Sequence, residues 1–407
     1  MKNMKGRSVT MRKNHRLRAS VFAILLIFFL LPAAAQATDV TVVCPGQSIN
    51  AALSVIGTGP GTITVTGICT ENVSINDARS ITIVAPSPGG ASVAGGATIV
   101  GPLDSDAFDI FRSQGIFLRN LEIRGTFSTT GNGGGSGVSI FDASEAHIIG
   151  CNIHDNQIVG VEAFTNSVVN LRDTIIQSNT PNDGLDLFDN STADVGTTTI
   201  QNNGDPVAGT VGVFVSRNSV VVFGGQTNLV QNNANIGIQA RNLSNVVLAG
   251  GGTTIQGHLT NGILIEEGSH LQVNSTGTLI QGNGAACPLD PTCGGILVAA
   301  DSTADLSGVG TITGNQGSGI SVQQSANVRL SGATVSNNTG DGVHIQWLSI
   351  GNFLSGNTIT GNGGASVFCS GRSLALGDLS AFSNVKCEET EQSNGHGHGE
   401  EDKARHR

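Results

Sequence analysis

The chain has 407 residues, of which 38% are hydrophobic, 4% are aromatic and 57 are glycine. Valine and isoleucine are plentiful, which excludes a chain that is disordered throughout and indicates a repetitive β composition. Asp and Glu outnumber Lys and Arg by 30 to 20. A surface of this sign repels nucleic acid and anionic membranes, so neither is an expected partner.

The N-terminal segment has the features of a secretory signal peptide. A basic stretch precedes the apolar run 21–31, and the small residues of Ala35-Gln36-Ala37 follow it. The run is too short to span a bilayer, so residues 1–37 are predicted to be a signal peptide cleaved before Thr38. The mature protein is then expected to be secreted, extracellular or periplasmic, without stable membrane insertion. Cleavage removes seven of the 20 basic residues and no acid, which leaves 13 basic against 30 acidic residues and a net charge of −17.

A six-residue motif recurs through the body of the chain. It consists of a small or polar residue, any residue, Ile or Val, two further residues and usually Asn. The Ile or Val positions lie 23 to 25 residues apart except at two longer gaps, and a period of this size indicates a solenoid. The nine copies are CNIHDN (151–156), TIIQSN (174–179), TTIQNN (198–203), NLVQNN (228–233), TTIQGH (253–258), TLIQGN (278–283), GTITGN (310–315), ATVSNN (333–338) and NTITGN (357–362).

A second segment follows most copies, as in GVEAF (160–164) and GLDLF (184–188). Its alternation places the second and fourth residues in the core and the third and fifth outside. A third apolar piece, such as Val246-Val247-Leu248, completes each coil. Short strands, polar turns and the absence of a helical period predict an all-β parallel β-helix over residues 38–387, in which stacked coils share one core.

The repeated Asn is predicted to form an internal ladder whose side chains satisfy backbone groups of the turns. His258 occupies one Asn position. It is interpreted as a structural substitute for Asn rather than as a catalytic group.

The ends of the solenoid need caps, because open β edges invite aggregation. Residues 47–56 have apolar residues at helical spacing and are predicted to form an N-terminal capping helix. Residues 388–407 are predicted to be a disordered polar tail, in which His396, His398 and His406 are solvated rather than bound to a metal.

Six of the seven cysteines lie in pairs close in sequence, which suits an oxidising compartment. The predicted disulfides are Cys44–Cys69, Cys287–Cys293 and Cys369–Cys387, with Cys151 left over. Sequence spacing alone does not fix this connectivity.

Over roughly residues 40–387 the chain resembles the pectate-lyase-like superfamily, through the coil repeat, the Asn ladder and the helical cap. The resemblance implies a single-stranded right-handed parallel β-helix and is weak for activity. Asn182-Asp183-Gly184-Leu185-Asp186 is similar to the Asn-Thr-Asp-Gly-x-Asp segment of polygalacturonases. The double Asp and Arg-Ile-Lys motifs of that family are missing, Gly-His-Gly occurs only in the tail, and the Asp-Pro-His motif of alginate epimerases is absent.

Alignment of the second segment across coils defines an outward face. Four phenylalanines are predicted to stack on neighbouring coils, and uncovered rings would make a large apolar patch. Carboxylates and arginines lie beside them, and such faces hold sugars through ring stacking and hydrogen bonds. The predicted ligand-binding residues are Phe111, Phe141, Phe164, Phe188, Asp109, Asp189, Arg217 and Arg241. Three insertions, Gly125–Ser136, Gly204–Val211 and Gly284–Gly294, enter before this segment and would wall a groove.

If the protein is an enzyme, Glu162 and Asp186 are the candidate catalytic residues of a glycoside hydrolase or polysaccharide lyase. Adjacent coils would hold their carboxyl groups about 5 Å apart, near the separation in retaining glycosidases. No lysine is expected on a coil and the chain has no tyrosine, so an arginine base, Arg217 or Arg241, is the remaining possibility for a lyase.

Glu162 and Asp186, with Asp189, also offer oxygen ligands for a possible Ca²⁺ cofactor. Two function classes stay open for this face. In the first function class the protein binds polysaccharide or cell-surface glycan. In the second it is a structural surface or matrix scaffold without activity, and the insertions simply cover the face.

Overall fold

The computed structural model describes residues 37–87, 97–102, 104–127, 129, 134–287 and 290–387. The predicted signal peptide, except Ala37, and the predicted tail lie outside the described residues. The rest is a parallel β-helix with one short helix near its start. The part of the chain that the structure describes contains no helix with the length and apolarity needed to cross a bilayer.

Each coil contributes one strand to each of three faces, here called sheets A, B and C, and every strand pairs in parallel with its equivalent on the next coil. Sheets A and B are joined through the long strand β2. Sheet A consists of β1 (Thr38–Val43), β2 (Gly61–Thr70, first half), β4 (Ile81–Val84), β7 (Ile116–Arg119), β10 (Glu145–Ile149), β13 (Val168–Arg172), β16 (Thr192–Gly196), β19 (Val220–Gly224), β22 (Asn245–Leu248), β25 (His270–Val273), β28 (Thr303–Leu306), β31 (Asn327–Leu330), β34 (Ile350–Phe353) and β37 (Leu374–Gly377). Sheet B consists of the second half of β2, β5 (Ala97–Val100), β8 (Leu121–Arg124), β11 (Asn152–His154), β14 (Ile175–Gln177), β17 (Thr199–Gln201), β20 (Asn228–Gln231), β23 (Thr253–Gln256), β26 (Leu279–Gln281), β29 (Thr311–Thr313), β32 (Thr334–Ser336) and β35 (Thr358–Thr360).

Sheet C has 13 strands and corresponds to the segment that follows the six-residue motif. It consists of β3 (Val73–Asn76), β6 (Phe108–Phe111), β9 (Val138–Phe141), β12 (Val161–Ala163), β15 (Leu185–Leu187), β18 (Val211–Val215), β21 (Ile236–Ala240), β24 (Asn261–Ile265), β27 (Gly294–Val298), β30 (Ser318–Val322), β33 (Val343–Ile345), β36 (Val367–Cys369) and β38 (Val385–Cys387). The predicted fold is therefore confirmed, and the motif itself forms sheet B with the turn that follows it. The expectation that no lysine lies on a coil is wrong, because Lys386 lies in β38 and pairs with Phe368.

The core is a set of aliphatic rows that run along the helix axis. Ile153, Ile176 and Ile200 are fully buried and lie directly above one another in sheet B. Val161 and Leu185 form an equivalent row in sheet C. No single coil could bury these side chains alone, so stacking is the main source of stability.

The predicted asparagine ladder is present and buried. The Asn179 side chain donates from Nδ2 to Asn203 Oδ1 at 2.9 Å, and the Asn179 backbone N–H donates to the same oxygen at 3.1 Å. Gly184, at the start of β15, shows why Gly precedes these strands: a Cβ there would lie 2.7 Å from Asn203 Nδ2.

His258 fits this ladder as a neutral ring, as the sequence suggested. Its Nδ1 accepts the Asn233 backbone N–H at 3.2 Å, and its Nε2 lies 3.2 Å from the Val230 carbonyl oxygen, to which it donates. Burial lowers the pKa of His258 to about 4, against the opposing effect of these backbone contacts.

A second ladder, of serines, was not predicted. It runs through the turn before sheet A, where the backbone N–H of one serine donates to the hydroxyl of the next, as from Ser167 to Ser191 at 3.2 Å. The row continues through Ser219, Ser244, Ser269 and Ser302. Its signal in the sequence is a Ser at the coil period, and Ala326 interrupts it.

The N-terminal cap is helix α1 (Ile49–Ile56), two residues shorter at its start than predicted, with Ser48 as the N-cap. Glu71 accepts the Ile49 N–H at 2.7 Å and the Ser48 hydroxyl at 2.7 Å. A carboxylate at this position complements the helix dipole.

The three predicted disulfides, Cys44–Cys69, Cys287–Cys293 and Cys369–Cys387, are present. Cys151 is the free cysteine of the described chain. Burial raises its pKa to about 12, so it remains a thiol and is unreactive.

Candidate functional site

The outer face of sheet C brings the predicted carboxylates into one column. Glu162 pairs in register with Asp186 on one side and with Ser139 on the other, and Ser139 pairs with Asp109. Because strands in a sheet are about 4.8 Å apart, these side chains occupy consecutive positions along the axis. We call Asp106, Asp109, Glu162, Asp183 and Asp186 the acidic cluster.

The described C-terminal ends of two insertions lie against this column. The Asp106 Oδ1 atom accepts the N–H groups of Gly135 and Ser136, both at 2.8 Å, which fixes the end of the first insertion over sheet C. Asp183 accepts the Val211 N–H at the end of the second insertion. As a result Ser139 is fully buried and Asp186 is only 7% exposed, although both point away from the core.

The third insertion lies farther along the same edge. It is closed by Cys287–Cys293, and it contacts sheet C through the Thr292 carbonyl, which accepts from Asn261 Nδ2 at 2.8 Å. All three insertions thus enter at the start of sheet C, as the sequence indicated.

Ser139 links two carboxyl groups of the cluster. Its hydroxyl oxygen contacts Asp106 Oδ2 at 2.8 Å and also Glu162 Oε1. A hydroxyl has one proton to donate, so both contacts are hydrogen bonds only when one carboxyl is protonated. Burial raises the pKa of Glu162 to about 7, with a further rise from the charges of Asp106 and Asp109, while hydrogen bonds from Ser139 and Ser136 oppose the shift.

Asp186 is the most unusual member of the cluster. Its Oδ1 atom is buried and has no hydrogen-bond partner among the described residues. Burial raises the pKa of Asp186 well above its usual range, and the charges of Asp183 and Glu162 raise it further. Burial and both neighbouring charges thus favour the protonated form of Asp186.

Asp183 and Asp109 complete the group. Burial raises the pKa of Asp183 to about 6, while the Val211 N–H and a side-chain hydrogen bond with Asp186 oppose the rise. Burial likewise raises the pKa of Asp109 to about 6, partly offset by the Asn72 amide, which donates to it at 2.7 Å.

The four predicted phenylalanines do lie along one line, but their geometry differs from the prediction. Phe164 and Phe188 stack nearly parallel with centroids 5.2 Å apart, and Phe111 and Phe141 are tilted at 6.0 Å. All four are half-buried. The faces of Phe164 and Phe188 are used against each other, so the patch presents mainly ring edges and offers less stacking surface than expected.

The arginines contact rings rather than carboxylates of the cluster. The Arg217 guanidinium lies 5.5 Å from the Phe188 centroid, and Arg241 lies 4.7 Å from that of Phe214. Arg217 also faces Asp189 at 3.5 Å. A calcium ion held by Asp189 would therefore compete with this guanidinium, and the calcium site stays a prediction.

Three participants were missed from the sequence. Asp106 precedes β6 and has no counterpart in the repeat, so its role depends on the fold of the first insertion. Asp183 was noted only within a motif. Phe214 was aligned on the outer face but not selected, yet it meets Phe188 edge-on at 5.5 Å.

Two shallow depressions elsewhere do not coincide with the cluster. One of about 330 Å³ lies on sheet A around Asp305 and Arg329. Another of about 370 Å³ lies on sheet B beside Gln256 and Gln281, which belong to an amide ladder. Neither contains a group of raised-pKa carboxyls, so the acidic cluster is the better candidate site.

Stacked coils with three parallel faces, a buried asparagine ladder and a helical N-cap define a right-handed parallel β-helix protein. The family model described as "Right handed beta helix region" matches residues 63–234, 136–308 and 262–399, which together span most of the chain. The chain belongs to this family.

Comparison with solved structures finds matches at low sequence identity. The catalytic domain of a GH87 α-1,3-glucanase, in its D1069A form with tetrasaccharides, is 14% identical with a TM-score of 0.56, over 87% of this chain and 69% of that one. The A-module of mannuronan C-5 epimerase AlgE4 from Azotobacter vinelandii is 14% identical with a TM-score of 0.45, over 81% and 94%. Pectate lyase Pel9A is 11% identical with a TM-score of 0.36, over 84% and 79%. A search among curated proteins finds no matching relative.

Proposed function

We propose that this protein is secreted, binds a neutral extracellular polysaccharide over sheet C, and cleaves it at the acidic cluster. The observation that carries the proposal is Asp186, an outward-facing carboxyl that is 7% exposed, has a pKa raised well above its usual range by burial, and has no hydrogen-bond partner for Oδ1 among the described residues. An unsatisfied buried polar atom destabilises a fold. A substrate oxygen would supply the missing partner.

The charge of the protein favours a neutral chain over a polyanion. The predicted mature protein carries a net charge of −17, and the cluster itself concentrates five carboxyl groups. An acidic polysaccharide would be repelled unless cations intervened. Three disulfides support an oxidising, extracytoplasmic location.

The raised pKa values assign different roles to the two catalytic candidates. Asp186 donates its proton to the glycosidic oxygen while ionised Glu162 attacks the anomeric carbon, so the bond between that carbon and the leaving oxygen breaks. Water then attacks the anomeric carbon, the bond between that carbon and the Glu162 oxygen breaks, and the water gives a proton to the Asp186 carboxylate, which restores both groups. The spacing of adjacent coils, about 4.8 Å, is near the carboxyl separation of about 5 Å in retaining enzymes, so the anomeric configuration should be retained.

The test is to incubate the mature protein with neutral α- and β-glucans, mannan and xylan, and with pectate and alginate with and without Ca²⁺. Binding and new reducing ends are measured for wild type, Asp186→Asn and Glu162→Gln. Asp194→Asn is the matched control, because Asp194 lies on the outer face of sheet A, where it pairs with Arg172. Each cluster variant should lose at least a hundredfold in cleavage rate, and the control should not.

The scaffold alternative draws support from the self-stacked phenylalanines and the cover of two insertions. It predicts that Asp186→Asn raises the melting temperature and changes nothing else, because the amide relieves a buried carboxyl. Absence of binding and of new reducing ends with every polysaccharide would overturn the proposed function and leave the scaffold.

A further inference from the structure

The turn between sheet C and sheet A has the same backbone on ten successive coils. Two consecutive residues have positive φ, and the N–H of the second donates to the carbonyl of the first on the next coil, as from Asn218 to Asn242 at 3.0 Å. The pairs are 142–143, 165–166, 189–190, 217–218, 242–243, 267–268, 300–301, 324–325, 347–348 and 371–372. Such a turn favours Asn, Asp and Gly, which tolerate positive φ.

The pair Trp347-Leu348 departs from this preference at both positions. Trp347 has a φ of 56° and Leu348 a φ of 65°, although bulky side chains are disfavoured there. They also remain in solvent, with Trp347 52% and Leu348 60% exposed. Because all ten turns share the positive φ, the backbone alone does not single out this pair. What distinguishes it is that two large apolar side chains at consecutive positions remain in solvent instead of being buried.

The surroundings present the indole as a platform. Gly371 lies on the next coil, and a Cβ there would be only 3.2 Å from Trp347 Cδ1, so its absence lets the indole approach the backbone. Hydrogen-bonding groups are close by in sequence: Gln346 donates to Gln323 at 2.8 Å on the outer face of sheet C. A large apolar ring beside amide groups matches the apolar and hydroxyl-bearing surfaces of a pyranose.

The turn borders the same face as the acidic cluster, on the side opposite the insertions. In register, Asp186 is followed on sheet C by Phe214, Gln239, Leu264, Leu297, Ser321 and His344. Six steps separate Asp186 from the coil of Trp347, which is about 29 Å along the axis. A ligand that reaches both places is a long polymer rather than a disaccharide.

We infer that Trp347 is a distal sugar-stacking position, which makes the ligand of the proposed site an extended polysaccharide held along several coils. The inference rests on the proposed function, which it deepens, but its readout is separate. Trp347 is the one tryptophan of the chain, and the chain has no tyrosine. Tryptophan emission therefore reports on this position alone, whatever happens at the acidic cluster.

The experiment uses the non-cleaving Glu162→Gln protein and the neutral polysaccharide panel, with oligosaccharides of increasing length prepared from each polymer. Tryptophan emission should change saturably, and affinity should rise once the chain is long enough to span the distance. Trp347→Asn, with Asn as at the equivalent Asn242, should weaken polymer binding at least tenfold. In the protein that retains Glu162, the Trp347→Asn substitution should leave the rate of hydrolysis of the shortest substrates unchanged.

Leu243→Asn is the matched control, because Leu243 is 66% exposed at positive φ in an equivalent turn. It should bind the polymer like the parent. Polymer binding without an emission change, or with unaltered affinity in Trp347→Asn, overturns the inference while leaving the proposed function intact. If phosphatidylcholine vesicles change the tryptophan emission and none of the polysaccharides does, Trp347 contacts a membrane surface. That result also overturns the inference. A further result contradicts the inference as well. In it, the cluster variants lose cleavage, but the Glu162→Gln protein binds none of the polymers.

Discussion

His258 allows a direct test of how the asparagine ladder stabilises the fold. The substitution is His258→Asn, which restores the residue found at the other positions of the ladder. In the folded protein the ring is neutral, since burial lowers its pKa from 6.5 to about 4. In the unfolded chain the ring takes up a proton below pH 6.5. The stability that His258 contributes is therefore present above pH 6.5 and is lost as the pH falls towards 4.

The size of the loss follows from the two pKa values. One pKa unit corresponds to about 1.4 kcal/mol, so the shift amounts to about 3 kcal/mol when fully expressed and to roughly 2 kcal/mol or more at pH 4.5. We expect His258→Asn to stabilise the protein, relative to wild type, by this amount more at pH 4.5 than at pH 7.5. The raised-pKa carboxyls also titrate in this range, but they are common to both proteins and cancel in the difference.

The assay is urea unfolding of both proteins at the two pH values, followed by far-ultraviolet circular dichroism. His147→Asn serves as the control for the loss of an outward-facing imidazole, because this histidine lies on the outer face of sheet A beside Glu145. Equal stability differences for His258→Asn at pH 4.5 and pH 7.5 would refute the argument, since the ring would then not be held neutral by burial.

Two further outcomes are expected. Release of reducing ends should rise about tenfold per pH unit up to about pH 7, as Glu162 ionises. The rate should fall again at higher pH, when Asp186 loses its proton. Ser139→Ala should move the rising part of the pH–rate profile to higher pH, because a hydrogen bond to ionised Glu162 is lost. A rate that is highest near pH 4 would contradict these roles. Ala326→Ser should complete the serine ladder and raise the free energy of unfolding by about 1 kcal/mol, measured by urea titration, whereas an unchanged or lower value would show that the buried site cannot accept the hydroxyl.

The fold was accessible from the sequence because a solenoid repeats one local solution. The spacing of Ile176, Ile200 and the later aliphatic positions sets the register of sheet B, and the alternation in 184–188 decides which side chains leave the core. The same alignment correctly placed Glu162 beside Asp186. These features depend only on periodicity, which a single sequence displays in full.

The chemistry of the face was less accessible, because it depends on parts that do not repeat. Asp106 acquires its role only when the first insertion folds back so that Gly135 and Ser136 donate to it. The orientation of the Phe164 and Phe188 rings depends on side-chain torsions, and a repeat predicts their proximity but not their angle. Likewise Arg217 could face either rings or carboxylates from the same position on the backbone.

The paired ladders have a consequence for how such a protein can change its length. Each coil offers its upper neighbour the same donors and acceptors that it receives from the coil below, in the asparagine row, the serine row and the turn at positive φ. A complete coil could therefore be duplicated or deleted in the gene, and the flanking coils would rejoin through identical contacts. Groups on the outer surface would then change their separation only in steps of about 4.8 Å. The distance between two surface sites is therefore set by the number of coils between them.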